Sequence, residues 1–231
     1  MSGRVVREGY SGTGPGEITP DGCAVELYRR LAVNDEPDVI AAAVPAGSSV
    51  LELGSGAGRV THPLIERGFD VTAVDESARM LEQVRGARTV CSPIESLDLG
   101  EETFDVVMLA SFLVHSGDHR VRDGLLRTCR RYVRDGGLVL IQRESEDSRV
   151  GLPRERVHPA GYTIRIVSAE PVGDGVDSVL CVYEFPDARW TQTFLSRPLS
   201  KEQFEGHLDA AGLRVDRYLT EDGVWVRAVP K

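Results

Sequence analysis

The stretch Val50-Leu51-Glu52-Leu53-Gly54-Ser55-Gly56-Ala57-Gly58-Arg59 decides how the rest of the chain is read. An apolar run enters a turn of three alternating glycines, with an acidic residue two positions ahead of the first. Side chains in such a turn would collide with a bound molecule, and glycine tolerates the positive φ that tight turns demand. The helix expected to begin at Arg59 aims free backbone N–H groups at the same place. A buried strand, a glycine turn and a helix start in that order point to a ligand site.

Spacing narrows the ligand. A dinucleotide fingerprint, Gly-x-Gly-x-x-Gly or Ala, counted from Gly54 and Gly56, would put its last small residue at 59, where Arg59 stands. A Walker loop needs Gly-Lys-Ser/Thr, and the chain's two lysines, Lys201 and Lys231, lie far away. What remains is Glu-x-Gly-x-Gly-x-Gly, followed by an apolar strand at Phe69 to Val74 that ends on Asp75. A carboxylate at the carboxyl end of a second parallel strand can bind a ribose diol.

Residues Ser49 to Arg143 resemble the core of a class I S-adenosylmethionine-dependent methyltransferase. The landmarks stand in order: Glu52 to Gly58, Asp75, the strand Phe104-Asp105-Val106-Val107, and Gly136-Gly137 before a last apolar strand. The resemblance implies an α/β fold, Rossmann-like and doubly wound, with a mostly parallel sheet and an antiparallel last strand. It implies S-adenosyl-L-methionine as cofactor and S-adenosyl-L-homocysteine as product. Glu52, Gly54, Ser55 and Gly56 then fall at the amino-acid end of the cofactor. Arg59 either approaches the methionine carboxylate or is a surface helix residue. Asp75 takes the ribose diol, with Glu76 assisting, and Ala110 and Ser111 line the pocket near the sulfonium. At the adenine end the chain departs from the family: Ser92-Pro93-Ile94-Glu95-Ser96-Leu97 stands where Gly-Asp-Ala-x-x-Leu is usual. Ile94 is left to pack on the ring and Glu95 to accept from its amino group.

Methyl transfer from a sulfonium needs alignment and exclusion of water rather than activation of the electrophile, so no metal is expected. The five histidines show no credible metal-ligand spacing. His115, in the segment after the strand at 104–109, is the general-base candidate, a packing histidine being the alternative. Arg143, at the end of the strand at 138–142, is the candidate partner of an acidic acceptor, and Tyr10 a candidate wall of the acceptor pocket.

A chain of 231 residues, 41% apolar and 27% charged, suits one globular domain. The formal charge of −9 argues against nucleic acid or an anionic membrane as partner. Arg127, Arg130, Arg131 and Arg134 read as a solvated helix face. The sequence shows no charged-then-apolar leader and no apolar run of membrane-spanning length, which gives a cytoplasmic expectation. Cys23, Cys91, Cys129 and Cys181 are scattered and read as small buried hydrophobes.

The expected organisation is a single domain over 1–231. An amino-terminal segment, 1–35, is either a lid or, in its glycine-rich first twenty residues, a flexible leader. The cofactor-binding half spans 46–145, a small antiparallel insertion after the fifth strand spans 155–198, and a closing helix and hairpin span 199–231. Alternating strands at 50–53, 69–74, 89–91, 104–109 and 138–142 with helices at 59–66, 77–84 and 119–133 predict the parallel sheet. Three extended segments, 162–168, 178–185 and 189–195, predict the insertion. The expected activity is methyl transfer to oxygen or nitrogen of a small molecule or short peptide. Methylation of protein or RNA, and a non-catalytic S-adenosylmethionine binder, are the alternatives. Oligomeric state stays open.

Overall fold

The computed structural model describes residues 6–231. The chain divides into two compact units: Val33–Glu146 with Leu199–Lys231, and Asp147–Pro198 with the amino-terminal segment up to Ala32.

The larger unit is a seven-stranded sheet. Its parallel strands are β2 (Ser49–Leu53), β3 (Asp70–Asp75), β4 (Arg88–Cys91), β5 (Phe104–Leu109) and β6 (Val133–Gln142). The hairpin β11 (Leu213–Tyr218) and β12 (Trp225–Pro230) adds antiparallel to β6. The spatial order is β11-β12-β6-β5-β2-β3-β4, so the chain reverses direction across the sheet between β2 and β5. This is the doubly wound arrangement expected from the sequence, antiparallel last strand included.

Strands covered on both faces read as continuous apolar runs, and their alternation feeds two cores. Leu51, Leu53, Val107, Leu109, Val139 and Ile141 pack on one face against helices α5 (His119–Tyr132) and α6 (Lys201–Ala210). Val50, Val106, Met108, Leu138 and Leu140 pack on the other with Ile40 and Leu64 from helices α2 (Glu36–Ala43) and α3 (Thr61–Glu66). A short helix, α4 (Ala78–Leu81), follows β3, and Ser77 caps it as expected by accepting the Met80 N–H at 3.3 Å. Ser200 caps α6 in a full capping box with Gln203.

The smaller unit is a five-stranded antiparallel sheet of β1 (Ser11–Thr13), β7 (Arg154–His158), β8 (Tyr162–Gly173), β9 (Val176–Phe185) and β10 (Ala188–Ser196), in the order β1-β10-β9-β8-β7. The described part of the amino-terminal segment is therefore a sheet edge, β1 pairing with β10 through Ser11 to Thr193, followed by helix α1 (Val25–Arg30). Trp190 anchors it. The indole is fully buried against Leu27 and donates to the Pro15 carbonyl at 2.8 Å. Gly14, at φ +119°, has no room for a Cβ beside that ring.

Four details differ from expectation. α2, β1 and β7 carry no strong sequence pattern. The helix at 77–84 shortens to four residues. Cys91 is exposed rather than buried, at the end of edge strand β4. Arg134 falls on β6 rather than on the helix, where it pairs with Asp105 at 2.6 Å, while Arg131 stays on the exposed helix face.

Tyr132 closes α5 wholly buried, its hydroxyl donating to the Leu97 carbonyl at 3.0 Å and accepting the Leu99 N–H at 2.9 Å. Tyr132→Phe strands both backbone groups, so urea denaturation is expected to show a loss of about 2 kcal/mol. An unchanged midpoint would mean that the hydroxyl does not hold the 97–99 loop.

Candidate cofactor site

The site lies at the carboxyl ends of β2, β3 and β5, where open parallel sheets bind ligands beside the point of reversal. It is built around one carboxylate. Asp75 Oδ2 accepts the Gly56 N–H at 2.9 Å and Oδ1 accepts the Ser77 N–H at 2.8 Å, tying the glycine turn to the end of β3. The Val74 carbonyl accepts the Gly54 and Ser55 N–H groups at 2.8 and 2.9 Å. At Gly54 the φ of +77° favours glycine, and a Cβ there would lie 2.6 Å from Leu113 Cδ1, so the leucine side chain would have to shift. Ile94 Cδ1 would be 3.7 Å from that Cβ, so Gly54, Ile94 and Leu113 converge on one spot. The Ile94 carbonyl is held by the Thr128 hydroxyl at 2.9 Å, while Glu95 is exposed beside it.

Glu52 is buried at 3% exposure, with Oε2 accepting from the Thr61 hydroxyl at 2.5 Å. Burial pushes its carboxyl up to about 7; the Thr61 hydroxyl and Arg59 pull it back, and Asp75 adds to the rise. Arg59 pairs with Glu36 of α2, Nη1 to Oε1 at 2.7 Å. Glu76 is half-buried just past β3.

The turn after β5 is strained. Ser111 and Phe112 both adopt left-handed conformations, φ 55° and 60°, uncommon for residues with side chains. The Gln142 side chain holds this turn, its Oε1 accepting the Ser111 N–H at 2.8 Å, and Ala110 is buried below. Phe112 remains 42% exposed.

The candidate acceptor residues are each held by backbone groups. His115 is buried at 2% exposure, and its Nε2 accepts the Glu144 N–H at 2.9 Å, which makes this nitrogen unprotonated and engaged. Arg143 does not open outward: it is buried, donates from Nη2 to the Leu199 carbonyl at 2.9 Å and stacks on Phe204 at 5.2 Å. Its place is a tie between β6 and the start of α6. Tyr10 belongs to the smaller unit, where its hydroxyl donates to the Leu195 carbonyl at 3.4 Å. Glu36, Thr61 and Leu113 escape sequence reading, because each meets its partner only through folding.

Among the described residues no group of three or more His, Cys, Asp or Glu is placed to hold a metal, and no helix is long and apolar enough to cross a membrane.

The fit to S-adenosylmethionine rests on features of the turn itself. The Ser55 hydroxyl is buried with no hydrogen-bond partner among the described residues, and the bare Gly54 backbone passes close to Leu113 and Ile94. Two oxygens of Asp75 are fixed by backbone N–H groups, and a carboxylate oxygen can accept more than one donor. The residues fit the group.

Comparison with known proteins agrees. Residues 51–141 match the family described as a methyltransferase domain. An uncharacterized methyltransferase of Mycobacterium tuberculosis is 33% identical over 139 residues, 58% of this chain and 56% of its own length. The chain thus spans little more than half of that relative. Among solved structures, the CcbJ methyltransferase from Streptomyces caelestis superposes with a TM-score of 0.71 at 19% identity, covering 89% of this chain and 95% of that one. The S-adenosylmethionine-bound CalS10, an amino pentose methyltransferase from Micromonospora echinaspora, gives 0.65 at 18%, covering 91% and 93%. Residues 51–141 are thus similar to methyltransferase domains, and the fold is one that S-adenosylmethionine-dependent methyltransferases share.

Because Glu52 binds its proton more tightly when folded than when unfolded, its contribution to stability is complete below about pH 4.5 and lost as pH rises through about 7. Without ligand, the stability of Glu52→Gln relative to wild type should therefore increase by about 3 kcal/mol between pH 4.5 and 8. Parallel pH profiles from urea denaturation would contradict it.

Proposed function

We propose that the protein is an enzyme that transfers a methyl group from S-adenosylmethionine to oxygen or nitrogen of a small molecule or short peptide. The observation that carries the cofactor assignment is the Asp75 carboxylate, locked to Gly56 and Ser77 at the mouth of the glycine turn. When bound, the cofactor supplies an electrophilic methyl carbon. The chain's residues then have three tasks. Asp75, with Glu76, takes the ribose diol; Ser55 and the Gly54–Gly56 backbone take the amino-acid end together with Glu52 and Arg59; Ile94, Glu95 and Leu113 take the adenine. Ala110 and the Ser111–Phe112 turn stand at the reacting end.

His115 acts in this proposal as a positioning residue rather than a base. Its buried ring and the Glu144 N–H on Nε2 favour a role in fixing the backbone after β6. An amine acceptor that enters as the free base needs no enzymic base to make its lone pair available. Arg143, held by Leu199, is proposed to shape the acceptor side indirectly. The net charge of −9 favours a small acceptor over RNA.

Incubation with methyl-labelled S-adenosylmethionine and a metabolite extract should yield a labelled low-molecular-mass product, and Asp75→Ala should abolish it. Label on protein or RNA would redirect the acceptor assignment. Tight cofactor binding with no labelled product from extract, peptides or RNA would favour a non-catalytic binder.

A further inference from the structure

Glu36 belongs to no motif of the sequence. Yet it is buried at 4% exposure, at the first turn of α2, with Oε1 bound to Arg59 Nη1 at 2.7 Å and Oε2 accepting the Asn34 N–H at 2.8 Å. Burial alone would raise its pKa. The Arg59 guanidinium and the Asn34 N–H outweigh that effect and hold the carboxyl below its ordinary range, so the pair is ionic.

Two features separate this pair from a plain structural bridge. First, Nη1 is the one atom of Arg59 with a hydrogen-bond partner among the described residues, so the rest of its planar fork is available to a ligand. Second, Arg59 closes the glycine turn, and its charge lowers the pKa of Glu52. One cation and one carboxylate thus sit at the same turn. An α-amino acid end carries the complementary pair, a carboxylate and an ammonium. A buried ion pair is weak evidence for stability, since desolvation offsets attraction. Pinning a guanidinium at one nitrogen does, however, reduce the freedom lost when its other donors meet a carboxylate.

We propose that Glu36 is a positioning residue that holds Arg59 as the receptor for the carboxylate at the amino-acid end of the cofactor, leaving the ammonium to Glu52. The proposal rests on the cofactor assignment above. It makes affinity depend on the amino-acid end of the ligand through a residue that does not touch it.

The test uses calorimetric titration of the full chain with S-adenosylhomocysteine and with 5′-methylthioadenosine, which has the nucleoside but no amino-acid end. Glu36→Gln should weaken S-adenosylhomocysteine about tenfold, equivalent to about 1.4 kcal/mol, and leave methylthioadenosine within about twofold, a difference of about 0.4 kcal/mol. Glu36→Asp keeps the charge, carries less risk to folding and should lose less. Arg59→Ala should show the larger selective loss, and adding Glu36→Gln to it should change nothing further. Equal loss for both ligands, no loss for either, or additive losses in the double variant would overturn the positioning role while leaving the cofactor assignment intact. Wild-type protein that binds neither ligand would overturn both.

Discussion

A single carboxylate joins the two halves of the site. Asp75 ends β3, and by accepting from Gly56 on one side and Ser77 on the other it fixes the glycine turn and the start of α4 in one frame. Without that bridge the turn after β2 would be held mainly by the two N–H bonds to Val74. With it, the glycine turn and the carboxyl end of β3 are tied together, at the place where the proposed function puts the ribose diol. Leu113 and Ile94 approach Gly54 from two separate segments, at a position whose positive φ already favours glycine.

Charge around the turn is arranged in the same economical way. Glu36, Arg59 and Glu52 place a cation between two buried carboxyls, one held ionised by its partners and the other raised toward neutrality by burial. A buried carboxyl with a pKa near 7 gains a proton or a cation at little expense, and a ligand carrying an ammonium provides the latter. The strained Ser111–Phe112 turn is supported from the neighbouring strand by Gln142, so its conformation is set by β5 and β6 together.

The parallel sheet was legible in the sequence because buried strands betray themselves locally: Val50 to Leu53, Val71 to Val74 and Val106 to Leu109 are short apolar runs between glycine or polar punctuation. The places of Asp75 and the glycines were legible for the same reason, being set by position at the ends of those strands. β1 was not, since Ser11-Gly12-Thr13 acquires its strand identity from β10, about 180 residues away, and its anchor from the Trp190 indole. Helix α2 leaves little trace in the sequence, because Pro37 at the first turn and a run of alanines give only a weak apolar stripe. Arg143 and His115 were placed at the right strand ends, but burial and backbone partners, which no local pattern records, decide what their side chains do.

The most direct measurement is a crystal structure of the protein with S-adenosylhomocysteine. The account predicts the ribose hydroxyls on the Asp75 carboxylate, the amino-acid end along Gly54-Ser55-Gly56 with its carboxylate at Arg59, and the adenine between Ile94 and Leu113. A nucleoside lodged away from the carboxyl ends of β2 and β3, or no binding at millimolar concentration, would contradict it.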